Sequence, residues 1–237
     1  MVSLPDWQPL EDAPPPAPGG PEGGRVVALV ATEGAAEKGW AGSAALDLAR
    51  AWSAAGQRVV LVDAVLNRPT LHQAAGISNR EGLTDAVLHG ASMERVSHPM
   101  DGGSFFVVTA GTPVADAGSV VRSARWYRIS SGMTEAGVTL AMLLGDGESG
   151  TAAFLGSASD IVVLADREDE VPGSIRDLEP LVRAVVGPGG ASSAPAAGPP
   201  VPVAGKGEAG VQRVALLIVG AIVVAAVLGF LLMSGLG

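Results

Sequence analysis

The stretch RVVALVATEGAAEKGWAGSAALDLARAWSAAGQRVVLVD, Arg25 to Asp63, decides the fold. Its two ends, Arg25–Thr32 and Arg58–Asp63, are short valine-rich runs with no polar/apolar alternation, the pattern of strands buried on both faces. Between them Ser43–Ala55 reads as a helix, with Gly56 as its stop. Further along, Phe105–Thr109, Val138–Leu144 and Ile161–Ala165 repeat the strand pattern, and Leu83–His89 and Ser174–Val186 read as helices. Such alternation predicts an α/β domain over residues 25–186, a parallel sheet with helices on both faces.

Outward from that domain the composition changes twice. Residues 1–24 are rich in proline and glycine, which remove amide donors and raise the entropy lost on ordering, so they read as a disordered arm. Nothing in them resembles a secretory leader, and Trp7 offers a docking point within an otherwise solvated run. Residues 187–210 read as a linker of mixed flexible and polyproline character. Within residues 211–237, Val214 to Met233 carries no charged side chain. Those twenty residues, at about 1.5 Å each, span about 30 Å, the thickness of a bilayer core. The expectation is a single C-terminal transmembrane tail anchor. Lys206 and Arg213 on its N-terminal flank put the domain on the cytoplasmic side of the membrane. Ala221, Ala225 and Gly229 recur every four residues, the spacing by which two helices approach closely, so homo-oligomerisation stays open.

The bulk composition narrows the function. Acidic residues outnumber basic ones, 24 to 15, a balance that repels phosphate backbones and argues against nucleic-acid binding. The absence of cysteine fits a reducing compartment, and His72, His89 and His98 have no ligand spacing that would make a metal site.

In a sheet of this kind ligands bind at the carboxyl ends of strands, above all in the turn after the first one. Here that turn runs from Thr32 to Ser43 and has glycines, but not in the order of a phosphate-cradling loop. The stretch VVLVDAVLNRPTLHQAAGISNREGLTDAVLHGA, Val59 to Ala91, resembles the segment of bacterial tyrosine kinases of polysaccharide export that reads "LLIDADLRRPSLH" followed by "GLSDVLAG". SFFVVTAGTPVADAGSVVRS and ASDIVVLADRE resemble later strands of the same family. The chain is thus similar to the deviant-Walker P-loop group, which also includes the MinD and ParA ATPases. The resemblance implies a P-loop fold, with Lys38, Gly39, Gly42, Ser43 and Asp63 as what remains of a nucleotide loop.

The catalytic residues of that family do not carry over. Its Walker lysine falls on Ala41 and its magnesium-binding serine on Gly42, with Lys38 three residues too early. Its Asp-x-Asp is reduced to Asp63-Ala64-Val65, and its Asp-x-Pro-Pro gives way to Gly145-Asp146-Gly147, with Asp146 a displaced candidate. The tyrosine-rich tail is missing, Tyr127 being the one tyrosine. Losing the cation and the metal ligands removes charge stabilisation on which phosphoryl transfer depends. Asp63 then serves to bond loop amides, and Trp40 either fills the vacated phosphate site or binds a partner, two readings the sequence leaves open.

The reading is a membrane-tethered, non-catalytic relative of these kinases, a scaffold or regulator with no cofactor beyond weak ATP binding. The resemblance implies a protein partner in the polysaccharide-export machinery. A weakly active ATPase or kinase, or a MinD/ParA-like positioning protein, is the alternative. The full chain is expected to sediment with membranes and to resist carbonate extraction, and truncation before Val211 to release a soluble domain. Recovery of the intact chain in the soluble fraction would contradict this.

Overall fold

The computed structural model describes residues 4–11, 14–18, 24–148, 150–167 and 171–188. Eight strands form one sheet: β1 (Trp7–Pro9), β2 (Val26–Ala31), β3 (Arg58–Asp63), β4 (Ser97–Met100), β5 (Phe105–Val108), β6 (Val138–Gly145), β7 (Asp160–Leu164) and β8 (Val182–Gly187). Their order is β1-β8-β7-β2-β6-β3-β5-β4, and every pairing is parallel except that of β4 with β5. β2 lies centrally and is buried along its whole length. Because side chains alternate across a strand, Val26, Ala28 and Val30 enter one core while Val27, Leu29 and Ala31 enter the other.

Helices cover both faces, as the sequence implies. The second core is roofed by α1 (Glu33–Glu37), α2 (Ala41–Ala54) and α3 (Leu71–Ala75), with Leu48 and Trp52 of α2 fully enclosed. The first is covered by α4 (Leu83–Leu88), α5 (Met93–Val96), α6 (Gly118–Val121), α7 (Ala124–Glu135), α8 (Thr151–Leu155) and α9 (Gly173–Arg176). There Trp126 meets Phe154 edge to face, ring centroids 5.5 Å apart.

Two expectations need correction. Ser174–Val186 is not one helix: α9 ends at Arg176, Glu179–Leu181 makes a single 3-10 turn, and the rest is β8. Pro180 interrupts the helical run, and Val182, Val185 and Val186 prefer a pleated surface once a sheet edge is available.

Nor is the 1–24 arm disordered throughout. Trp7–Pro9 is the edge strand beside β8, and Leu10 N–H donates to Gly187 O at 3.0 Å. The Trp7 indole lies over Gly187 and donates its Nε1–H to Ala165 O at 2.8 Å, while Leu4 and Trp7 pack on one core and Leu10 and Ala17 on the other. Beyond it, residues 14–18 lie against α2, where the Trp52 indole donates to Pro15 O. A proline-rich run thus occupies the place of a crossover helix, because burial of these apolar side chains offsets its ordering entropy. Both edge strands carry a proline, Pro9 in β1 and Pro99 in β4.

Among the described residues no helix is long and apolar enough to cross a membrane. The 211–237 segment and all but the first two residues of the 187–210 linker lie outside the described residues.

A Cβ on Gly187 would stand 2.3 Å from the Trp7 ring. Gly187→Ala should therefore push the indole off β8 and destabilise the domain by about 1–3 kcal/mol, the cost of overpacking a filled site. The urea midpoint, together with a shift of the Trp7 indole resonance, checks this. An unchanged midpoint would mean that the arm is not part of the folded unit.

Candidate functional site

The carboxyl ends of β2, β3, β6 and β7 meet at one end of the sheet, where the turn after β2 is the expected ligand loop. The first half of that turn is wound into α1, and its last three residues open α2. Thr32 caps α1, its Oγ1 accepting from Ala35 N–H at 3.3 Å, and the amides of Ala36, Lys38 and Gly39 donate to Thr32 O, Gly34 O and Ala36 O. A phosphate cradle needs such amides free to converge on an anion. Here those of Ala35, Ala36, Lys38 and Gly39 bond within the loop.

The cations and donors of the site are engaged as well. Lys38 Nζ lies 2.5 Å from Oδ2 of Asp166, and the Trp40 indole Nε1–H donates to Oδ1 of the same carboxylate at 2.6 Å. Asp166, just beyond the carboxyl end of β7, has a side chain only 5% exposed, so a buried carboxylate gathers the loop's lysine and its tryptophan. Trp40 is thus anchored on this internal acid.

Asp63 ends β3 and is fully buried. Its Oδ1 accepts from Val65 N–H at 3.1 Å and its Oδ2 from Leu71 N–H at 3.0 Å, tying the segment after β3 to the start of α3. Burial pushes this carboxyl up to about 6, and the amide bonds from Leu71, Val65 and Thr70 pull only partly the other way. Opposite it, beyond β6, the acid that reaches the post-β3 loop is Glu148. It accepts from Asn67 Nδ2 at 2.9 Å and from Arg68 Nε and Nη2 at 3.1 and 3.0 Å. The Asp146 amide bonds Ala31 O at 2.8 Å, closing the β2–β6 ladder.

The remaining loop residues take structural positions. Gly39 adopts φ +74 in open space, a left-handed turn that suits glycine. Gly42 is buried within α2 where that helix crosses α3, and a Cβ there would touch Ala74 Cβ at 3.0 Å. Ser43 is exposed on the first turn of α2. The structure therefore brings Lys38 and Trp40 together on Asp166 and sets Asp63 apart on its own amides. Asp166 was missed from sequence. The signal for it was an acid directly after a buried strand at the ligand-binding end of the sheet.

A nucleotide-binding-type α/β fold with a modified loop is thus the class that fold and site define. No family model matches the chain. Over 84 residues, 35% of this chain and 35% of the relative, it is 32% identical to "Tyrosine-protein kinase YwqD" of Bacillus subtilis, so the match spans about a third of that kinase's length. Among solved structures it superposes on the kinase domain of the Escherichia coli tyrosine kinase ETK with TM-score 0.59 at 17% identity, covering 72% of this chain and 70% of that one. On the chimerical protein CapA2B2 the TM-score is 0.58 at 17% identity, over 70% and 75%. By fold the chain is similar to these kinase domains, and it shares one segment of sequence with a tyrosine kinase, a likeness of the deviant-Walker P-loop kind. Magnesium nucleotide, which that group implies, does not fit the residues present. The Ala35, Ala36, Lys38 and Gly39 amides are bonded within the loop, Lys38 is paired with Asp166, and both Asp63 oxygens accept from backbone.

A raised folded-state pKa means that the native state holds its proton more tightly than the unfolded chain. The Asp63 contribution to stability is therefore fully present below about pH 4 and lost as the pH rises through about 6. The full loss is about 3 kcal/mol. Urea unfolding of wild type and Asp63→Asn between pH 4 and 7 should show a wild-type decline that the variant lacks. Parallel pH profiles would place Asp63 in solvent.

Proposed function

We propose that this chain is a membrane-tethered, non-catalytic relative of the tyrosine kinases of polysaccharide export, acting as a scaffold or regulator rather than as a phosphoryl-transfer enzyme. One observation carries the reading. In the loop that would hold a nucleotide, the amides of Ala35, Ala36, Lys38 and Gly39 bond within the loop and Lys38 is paired with Asp166. Ala41 and Gly42 at the lysine and magnesium positions, and Val65 in place of a second aspartate, support it independently. Each such loss removes charge stabilisation commonly worth about 10²–10³ in rate.

The pathway comes from the resemblance to the kinase family, and with it a protein partner in the export machinery. The tether comes from the 211–237 segment, with the domain cytoplasmic, and homo-oligomerisation through the small residues of that segment completes the reading. Weak nucleotide binding by an otherwise inactive site is compatible with it, provided magnesium has little effect.

The test is phosphate release and labelled-ATP binding by the purified full chain in detergent, with and without magnesium, beside Lys38→Ala. The expected result is no turnover above background in either protein. Turnover that requires magnesium and disappears in Lys38→Ala would establish the weakly active ATPase or kinase instead.

A further inference from the structure

Residues 14–18, Pro-Pro-Pro-Ala-Pro, lie across the face of the domain that carries α2. Their burial has a period of three: Pro15 and Pro18 are buried, Pro14 and Pro16 exposed, Ala17 intermediate. Three residues per turn is the repeat of a polyproline II helix, which has no internal hydrogen bonds and so presents its carbonyls to whatever it lies against.

Two side chains read those carbonyls. The buried Trp52 indole donates its Nε1–H to Pro15 O at 2.9 Å, and Gln57 Nε2 donates to Pro18 O at 3.1 Å. Gln57 is itself oriented, because the Thr139 hydroxyl donates to its Oε1 at 2.9 Å, turning the amide nitrogen towards Pro18. A tryptophan N–H and an amide, spaced to meet carbonyls three residues apart beneath two buried prolines, make a groove for Pro-x-x-Pro. That is a recurring mode of peptide recognition. These two bonds go to backbone oxygens, so nothing in them is particular to Pro16 or Ala17.

The same pattern occurs once more in the chain's own tail, as Pro199-Pro200-Val201-Pro202, outside the described residues. Its approach is favoured by geometry. Leu10 N–H bonds Gly187 O, and Pro15 is five residues beyond Leu10, so the groove begins within about 18 Å of that junction. Twelve residues separate Gly187 from Pro199 and reach up to about 40 Å. A tail leaving β8 at Gly187 starts beside Leu10 and would enter the groove with the polarity of the present occupant. The arm stays attached through β1 and Trp7 whichever segment is bound, so the two compete intramolecularly at high effective concentration.

We propose that the Trp52/Gln57 groove is an exchangeable polyproline site whose second ligand is Pro199–Pro202 of the same chain. The exchange stands on the groove alone, and its consequence rests on the membrane-anchored reading. With the arm bound, 25 residues (189–213) separate the described domain from the apolar segment. With the tail bound, only 11 (203–213) remain free. The groove then sets how far the domain stands from the bilayer.

The chain has no cysteine, so Ala204→Cys carries a single nitroxide label. Full-length protein in detergent micelles is read through its four tryptophan indole resonances, with Trp52 assigned by Trp52→Phe. In a Pro15→Ala/Pro18→Ala background the label is expected to more than halve the Trp52 signal relative to the reduced label, to spare Trp126 on the opposite face, and to lose its effect on adding Pro199→Ala/Pro202→Ala. A Trp52 signal untouched by the label, or a loss indifferent to Pro199 and Pro202, overturns the proposal. A second measurement does not depend on that variant's folding: excess peptide of residues 196–206, titrated into the unlabelled wild-type chain, should shift the Trp52 indole, and the same peptide with both prolines replaced should not. No shift with the native peptide equally overturns it. Neither result bears on phosphate release, so failure here leaves the non-catalytic reading standing.

Discussion

The ligand-binding end of this sheet is organised by one buried carboxylate. Asp166 lies beyond β7, next to the strand that feeds the loop, and draws Lys38 and Trp40 onto itself. A buried acid is costly unless paired, and it finds its partners in the groups that a nucleotide would otherwise recruit. The residue before it, Ala165, accepts from the Trp7 indole, so the same junction also fixes the N-terminal arm. Loop, β7 and arm are therefore joined at one end of the sheet.

How much of this was legible depended on the physics behind each residue. Uninterrupted valine-rich runs gave five of the eight strands to within a residue or two, because burial on both faces leaves a composition that little else produces. The edge strands were not legible. β1 is three residues inside a proline-rich run, and β4 contains a proline and a histidine, so their pairing is set by the neighbours they find rather than by a pattern of their own. β8 was mistaken for helix because Ser174–Val186 has mixed periodicity that only Pro180 and the free edge of β7 resolve. At the site, Ala41 could be counted from sequence into the position where the resemblance puts the Walker lysine. The pairing of Lys38 with Asp166 could not, since 128 residues separate them.

The part of the sequence that most resembled a kinase is structural. In the Gly82-Leu83-Thr84-Asp85 motif, Asp85 accepts from Gly82 N–H at 2.9 Å, from Thr112 N–H at 3.0 Å and from Thr112 Oγ1 at 2.6 Å. Burial raises that carboxyl's pKa, but the bonds from Thr112 and Gly82 outweigh it and hold the group below its ordinary value. A Cβ on Gly82 would lie 2.1 Å from Thr109 O, so only glycine lets α4 sit against the end of β5. The most recognisable stretch shared with the kinases is thus one whose hydrogen bonds hold α4 to the end of β5.

The two proline-bearing edge strands bear on crowding. A sheet edge is a row of unpaired amides and carbonyls that invites a second sheet to add on, and proline interrupts that row by removing a donor. Pro9 and Pro99 cap the sheet at opposite sides. Molecules confined to a surface meet far more often than molecules dispersed in a volume, so a blunt outline matters most for a domain held in such a layer. Under the proposed membrane tether, copies of this chain would accumulate side by side without their sheets fusing.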